Sequence, residues 1–261
     1  MSNNIFSGRR FRLLFKQHFI HNAQFLLLAT VAYFGVIFIV LSVVQFGNEF
    51  APHRLENFQG FLIAFSTVFG ILYAGYAFPA FRSKESTIHY LMLPASVLEK
   101  FVFEFVSRIG IIILLLPLLY WVAFNIQGYF FAIFSDEVFE FIGVEHLVRI
   151  EMPDDYRFLI YSLITGGVLF VLSLAFTGAA MFTKQPLVKT LFSVALVVMF
   201  FLGYSYVVIT SLGIDKYNPS DSMLFVPLEE DNVMTAFCVA LFVATLVMLV
   251  VSFRKLKERQ V

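Results

Sequence analysis

The chain is poor in the groups from which most active sites and secreted frameworks are made. Its single cysteine, Cys238, allows no disulfide within the chain, and its place inside a long apolar run makes it a small packing residue. There is no G-x-x-x-x-G-K-[ST] loop, so the chain does not hydrolyse a nucleotide by that route. H-E-x-x-H and G-x-S-x-G are missing as well. The five histidines, His18, His21, His53, His89 and His146, all lie in polar segments. The middles of the apolar runs hold no Asp, Glu, Lys, Arg or His. A proton-coupled carrier, an ion pump or an intramembrane protease needs such groups at depth, where they are expensive and kept for function. From these absences we expect no enzyme activity, no cofactor, no bound metal and no nucleic-acid partner.

What the chain has is apolar length, with 60% of its residues hydrophobic. Six runs stand out, at roughly 24–46, 58–80, 109–126, 158–182, 190–210 and 233–253. A helix needs about 20 residues to cross ~30 Å of hydrocarbon. Core helices of soluble proteins are shorter and carry a polar stripe. Barrel strands would show as alternating segments of about ten residues, and the chain has none. The fold expected is all-α: one transmembrane domain over 1–261 with six spans, at about 24–46, 58–80, 101–126, 158–182, 188–210 and 233–253. The first run follows a basic N-terminus, but it exceeds the ~7–15 apolar residues of a signal peptide and no small-x-small site ends it, so it is expected to remain as a span.

Eighteen Lys and Arg balance eighteen Asp and Glu, yet position sorts them. The first, third, fifth and seventh polar segments carry Arg9, Arg10, Arg12 and Lys16; Arg82, Lys84, Lys100 and Arg108; Lys184 and Lys189; and Arg254, Lys255, Lys257 and Arg259. The acids there are only Glu85, Glu99, Glu104 and Glu258; the other acids fall in the alternate segments, with Arg54, Arg149, Arg157 and Lys216. Lys and Arg are retained on the cytoplasmic side during insertion, so both termini are expected in the cytoplasm.

Residues 5–22 place Phe11, Leu14, Phe15 and Phe19 on one helical face, among Arg9, Arg12 and Lys16. That pattern predicts an interfacial helix held to anionic membrane lipids. The fourth span carries Gly166, Gly167, Ser173, Thr177, Gly178, Ala179 and Ala180, and the second Gly60, Gly70 and Gly75; small residues allow close helix packing, within the bundle or against a second copy. Pro117 is expected to kink the third span. In 127–157, phenylalanines mixed with acids suggest a second interfacial helix. The 211–232 segment, with Asn218-Pro219 and the acids Glu229, Glu230 and Asp231, reads as a turn-rich, solvated connection.

Residues 82–108, RSKESTIHYLMLPASVLEKFVFEFVSR, are richer than a turn. Ser83 or Ser86 can cap a short helix with Glu85 in its first turn. His89, Tyr90, Leu91, Met92 and Leu93 would present an apolar patch ended by Pro94. Ser96 and Glu99 stand at capping-box spacing, and Lys100, Glu104 and Arg108 follow at intervals suited to ion pairs. A short, mixed apolar and charged helix of this kind is suited to docking a partner.

On these residues the chain resembles the permease subunit of a bacterial ABC-type exporter, the six-span class whose ATPase is a separate polypeptide. The likeness rests on the amphipathic N-terminal helix, the six spans, the cytoplasmic termini and the pattern LMLPASVLEKF from Leu91 to Phe101. The resemblance implies that 82–100 is a cytoplasmic coupling loop seated on the ATPase, with Arg82, Lys84, Glu85, Ser86, His89, Leu91 and Leu93 docking and Pro94, Glu99 and Lys100 relaying motion to the third span. It also implies a homodimer, or a heterodimer with a second permease, in the bacterial inner membrane. One departure is that the bulk outside lies between the third and fourth spans, where many exporters have re-entrant helices between the fifth and sixth. The alternative function is a membrane scaffold or sensor that binds an external partner through its acidic segments.

Overall fold

The computed structural model describes residues 6–47, 55–134, 139–149, 154–211 and 230–259. Among these, every regular element is helical, as a chain must be where no water satisfies the backbone. The helices are α1 (Gly8–His21), α2 (Ala23–Gly47), α3 (Leu55–Ala74), α4 (Lys84–Met92), α5 (Val97–Phe105), α6 (Ile111–Ala132), α7 (Val144–Val148), α8 (Asp154–Met181), α9 (Pro186–Ser211) and α10 (Glu230–Glu258). A π-helical turn, Val106–Gly110, joins α5 to α6 without a break.

Among the described residues, five stretches are long and apolar enough to cross a membrane: Ala23–Phe46, Val97–Ala132, Tyr156–Met181, Pro186–Ser211 and Val233–Glu258. Large apolar side chains cover their outer surfaces, as Leu114, Phe158, Phe200 and Leu246 do. These are the helices of a multi-pass membrane protein. The run expected to cross at 58–80 is different. Its helix stops at Ala74, leaving Phe58–Ala74 as a shorter apolar helix. The cause is local: Pro79 has no N–H to continue a helix and crowds the residue before it, and Phe78 turns into the left-handed region at φ 53°.

α8 is the centre of the packing, lying against α3, α9 and α10. Its small-residue face is used inside the protein's own bundle. Thr177 donates to the Met248 carbonyl of α10 at 3.0 Å, and a methyl group on Gly178 would overlap Thr190 of α9. Two apolar clusters result. One gathers Ala74, Phe78, Phe81, Ile109, Leu172, Phe176 and Leu256 at the basic end. The other gathers Tyr33, Ile37, Leu41, Phe58, Tyr120, Phe124 and Leu147 toward the acidic end. Leu116 packs against both. α6 runs on through Pro117; the departure from α geometry falls about two to three turns before it, in the π turn.

Among the described residues, no second interfacial helix follows α6; residues 135–138 and 150–153 of the segment expected to form it lie outside them. Residues 139–143 are not helical and α7 is only 5 residues long. Backbone hydrogen bonds hold this stretch on the bundle instead. Asn125 Oδ1 accepts from the Ile142 N–H at 3.0 Å, and its Nδ2 and the Trp121 indole both donate to the Ile142 carbonyl. Gln59 donates to the carbonyls of His146 and Arg149, and Tyr161 to that of Val148. The polar side chains Gln59, Trp121 and Asn125 thus select the path. Of the 211–232 connection, residues 212–229 lie outside the described residues.

Asn125→Ala should free residues 139–149 from α6. Hydrogen–deuterium exchange of those amides should speed up, and the protein should lose about 1–3 kcal/mol, the cost of stranding buried backbone groups; unchanged exchange would mean that Asn125 is not the clamp.

Candidate coupling surface

α4 forms where two signals agree. Ser83 is its N-cap and accepts from the Ser86 N–H at 3.2 Å, with Glu85 in the first turn. Ser86 reaches back to the Ala80 carbonyl at 2.8 Å, and Thr87 does the same at 3.0 Å. These bonds fix the helix against the 3-10 turn Pro79–Arg82. Leu93 then goes extended ahead of Pro94, as a residue before proline prefers. Pro94 is exposed and Ser96 opens α5 with both bonds of a capping box: its hydroxyl accepts from the Glu99 N–H, and Glu99 accepts from the Ser96 N–H.

The two sides of α4 differ. Lys84, Glu85, His89, Leu91 and Met92 are exposed, as is Ile88. Met92 is 76% exposed, Ile88 53% and Leu91 41%, so three large apolar side chains at helical spacing face outward with no covering from the chain. Leu93 is half-buried and contributes less. Tyr90 does not join this patch. Its ring packs edge-on to Phe81 at 5.3 Å, and the Lys100 ammonium lies over it. Burial pushes its phenol well above the ordinary range, and the nearby Glu104 carboxylate adds to that. Sequence periodicity on so short a helix did not separate Tyr90 from its neighbours. The missed signal was Lys100, ten residues on, whose Nζ donates to the Tyr90 carbonyl at 2.8 Å and so closes the C-terminus of α4.

Glu99 and Lys100, expected as relay residues, are both buried. Glu99 receives three donors: the Ser96 N–H, the Ser7 N–H at 2.6 Å and the Arg10 guanidinium at 3.0 Å. This ties α1 to α5, and Phe15 adds an edge-on contact with Phe103. One turn further, Glu104 and Arg108 are 3% exposed each and form an ion pair at 3.5 Å. Glu104 also accepts from the Phe78 N–H at 3.4 Å, holding the left-handed residue in place. Lys100 spends its charge on Tyr90 and makes no pair with Glu104. Arg82, half-buried, stacks its guanidinium 3.6 Å above the Tyr76 ring, and Arg108 lies over Tyr73. On the far side, Phe101 touches Phe253 of α10 and Phe176 of α8.

Apart from Leu93 and Pro94, which form the corner between α4 and α5, the expected residues fall into two groups. Lys84, Glu85, His89 and Leu91 form an outward face. Arg82, Ser86, Glu99 and Lys100 form the wiring behind it, joined by Tyr90, Glu104, Arg108 and Phe78. Among the described residues no cluster of three or more His, Cys, Asp or Glu is placed to hold a metal ion. Against protein-family models, curated proteins and solved structures, the chain finds no match.

The Tyr90 hydroxyl is buried and has no hydrogen-bond partner. Tyr90→Phe should therefore leave the melting temperature unchanged or raised, whereas Tyr90→Ala should lose about 3–5 kcal/mol through the cavity it opens. A lower melting temperature for the phenylalanine variant would contradict this assignment.

Proposed function

We propose that this chain is the membrane-spanning permease subunit of an ATP-driven exporter of the ABC type, and that a separate ATPase docks on α4. The observation that carries the reading is the two-sided build of that helix. Ile88, Leu91 and Met92 face outward, while the inner side is bonded through Ser86, Thr87 and Tyr90 to the 3-10 turn and to α5. Apolar side chains on a short, rigid helix rimmed by Lys84, Glu85 and His89 suit a groove in a soluble partner. A displacement of α4 would be passed to Lys100 and Glu104 rather than absorbed in a loose loop.

From there the path divides. α5, the π turn and α6 form one helix of 36 residues, about 54 Å at 1.5 Å per residue, against ~30 Å of hydrocarbon. Its first turns therefore stand outside the hydrocarbon and act as a lever on the part within. Glu99 carries the same motion to α1, and Phe101 carries it to α8 and α10. In this reading α3 is the sixth span, the basic end faces the cytoplasm of a bacterial cell, and two permease subunits pair around the transported molecule. The chain has no nucleotide loop of its own, so the energy comes from the ATPase.

Copurification tests the reading. A tagged chain should bring down an ATPase, and Leu91→Asp or Met92→Asp should abolish that while the protein stays folded in detergent. Leu93→Asp should weaken it less, because Leu93 is partly covered. A folded chain that retains no ATPase from its native membrane would sink the proposal.

A further inference from the structure

A cavity of about 400 Å³ lies beside the first turn of α4, lined by Phe81, Arg82, Ser83, Lys84, Thr87, Ile88, Thr183 and Lys184. Its charges have one sign. Arg82, Lys84 and Lys184 come from two separate parts of the chain, the start of α4 with the turn before it and the turn between α8 and α9, and among the described residues no carboxylate lines it. Arg82 lines the cavity while its guanidinium stacks on Tyr76, and its buried Nη2 has no hydrogen-bond acceptor. Beyond the wall formed by Phe81 stands a fourth cation, Arg259, with its guanidinium 5.3 Å from the Phe81 ring and its Nη1 also without an acceptor. The nearest acids are otherwise placed. Glu104 is paired with Arg108, Glu258 with Lys255, and Glu85 lies in the first turn of α4 without lining the cavity.

The position of the cavity identifies the kind of anion. It sits where α8 ends at Met181 and α9 begins at Pro186. Immediately along α9 the surface turns apolar, with Val188, Leu191 and Phe192 each more than half exposed. A basic, hydroxyl-edged pocket set at the end of membrane-crossing helices, with an uncovered apolar strip running away from it, matches an amphiphile: a phosphate in the pocket and acyl chains along the helix. We infer that this cavity is a binding site for the headgroup of an anionic phospholipid. The site goes beyond the exporter reading and holds whether or not an ATPase docks on α4. Lys84 and Lys184 supply point charges to the phosphate and Thr183 a hydroxyl group, while Arg82, stacked on Tyr76, adds positive charge to the wall and Ser83 and Thr87 keep their hydroxyls bonded within the first turn of α4.

The test uses the full-length protein in detergent, titrated separately with phosphatidylglycerol, phosphatidylcholine and inorganic phosphate, and read by native mass spectrometry. Phosphatidylglycerol should bind more tightly than phosphatidylcholine and be released at high salt, while inorganic phosphate binds far more weakly. Lys84→Ala and Lys184→Ala should each weaken phosphatidylglycerol about fivefold, and together about twenty-five-fold, with the melting temperature in phosphatidylcholine unchanged. Two exposed lysines with no hydrogen bond in the protein make poor candidates for misfolding; should the double variant melt lower, Lys84→Gln and Lys184→Gln singly give the same reading. Equal affinity for the two lipids, or a double variant that binds phosphatidylglycerol like the original chain, would overturn the site. Inorganic phosphate binding as tightly as phosphatidylglycerol would overturn the lipid as its occupant.

Discussion

A carboxylate or an ammonium buried at the mouth of a long apolar helix must be given partners, because an uncompensated charge there costs several times more than a neutral polar group. α5 buries four charged side chains with the turn that follows it, Glu99, Lys100, Glu104 and Arg108. α1, α4 and the turn before α4 are each placed by answering one of them. Glu99 brings in the backbone of Ser7 and the side chain of Arg10, and with them α1. Lys100 takes the Tyr90 carbonyl in the last turn of α4. Glu104 takes the N–H of Phe78 and the guanidinium of Arg108. Remove these demands and α4 would stay bonded to the turn before it through Ser86 and Thr87, but the bonds that tie α1, α4 and that turn to α5 would be lost.

Much of this was legible in the residues. The apolar runs announce helices because hydrocarbon permits little else, and the Ser83 cap and the Ser96–Glu99 capping box follow from local chemistry that needs no tertiary partner. The spacing of Glu104 and Arg108 likewise announces their pair. What the residues do not announce is which neighbour wins when several compete. Lys100 stands four residues from Glu104, yet it turns to a carbonyl on another helix, and that choice depends on where the Leu93-Pro94 corner puts α4. The inward turn of Tyr90 follows from the same corner. The path of residues 139–149 was hidden for a related reason. Its phenylalanines and acids match an interfacial helix by composition, but Asn125, Trp121 and Gln59, distant in sequence, offer its backbone better hydrogen bonds than a helix would. The early end of α3 is an intermediate case: Pro79 signals a stop, but the left-handed Phe78 and the turn before it shift that stop back to Ala74.

Two residues in the described chain adopt positive φ without being glycine, Phe78 at 53° and Gln185 at 50°. Both immediately precede a proline, and both lie at the basic end, one before the 3-10 turn leading to α4 and the other before α9. Such a conformation costs on the order of 1–3 kcal/mol and persists only where its surroundings hold it. Phe78 is held by its hydrogen bond to Glu104, by ring contact with Phe176 at 5.0 Å and by near-complete burial. The strain thus sits on the chain between α3 and α4, and its restraint sits on α5.

The π turn at Val106–Gly110 lies one step further along the same route. Such a turn contains one residue more than an α-turn, and it commonly marks a functional position. Here it contains Arg108, whose partner Glu104 lies in the last turn of α5 just before it. A small rotation of α5 about this turn would lengthen the 3.4 Å bond from Phe78 to Glu104 and leave the left-handed residue unsupported. The strained turn and the irregular helix are therefore coupled through one carboxylate. If α4 receives a push from a partner, as the exporter reading requires, these are the two places where the chain yields without breaking an apolar core, since Phe176, Ile109 and Leu172 remain packed on either side. The basic end thus gathers a left-handed residue and a π turn around one carboxylate, whereas the opposite end, closed by Asn125 and Gln59 on the backbone of 139–149, is pinned at several points.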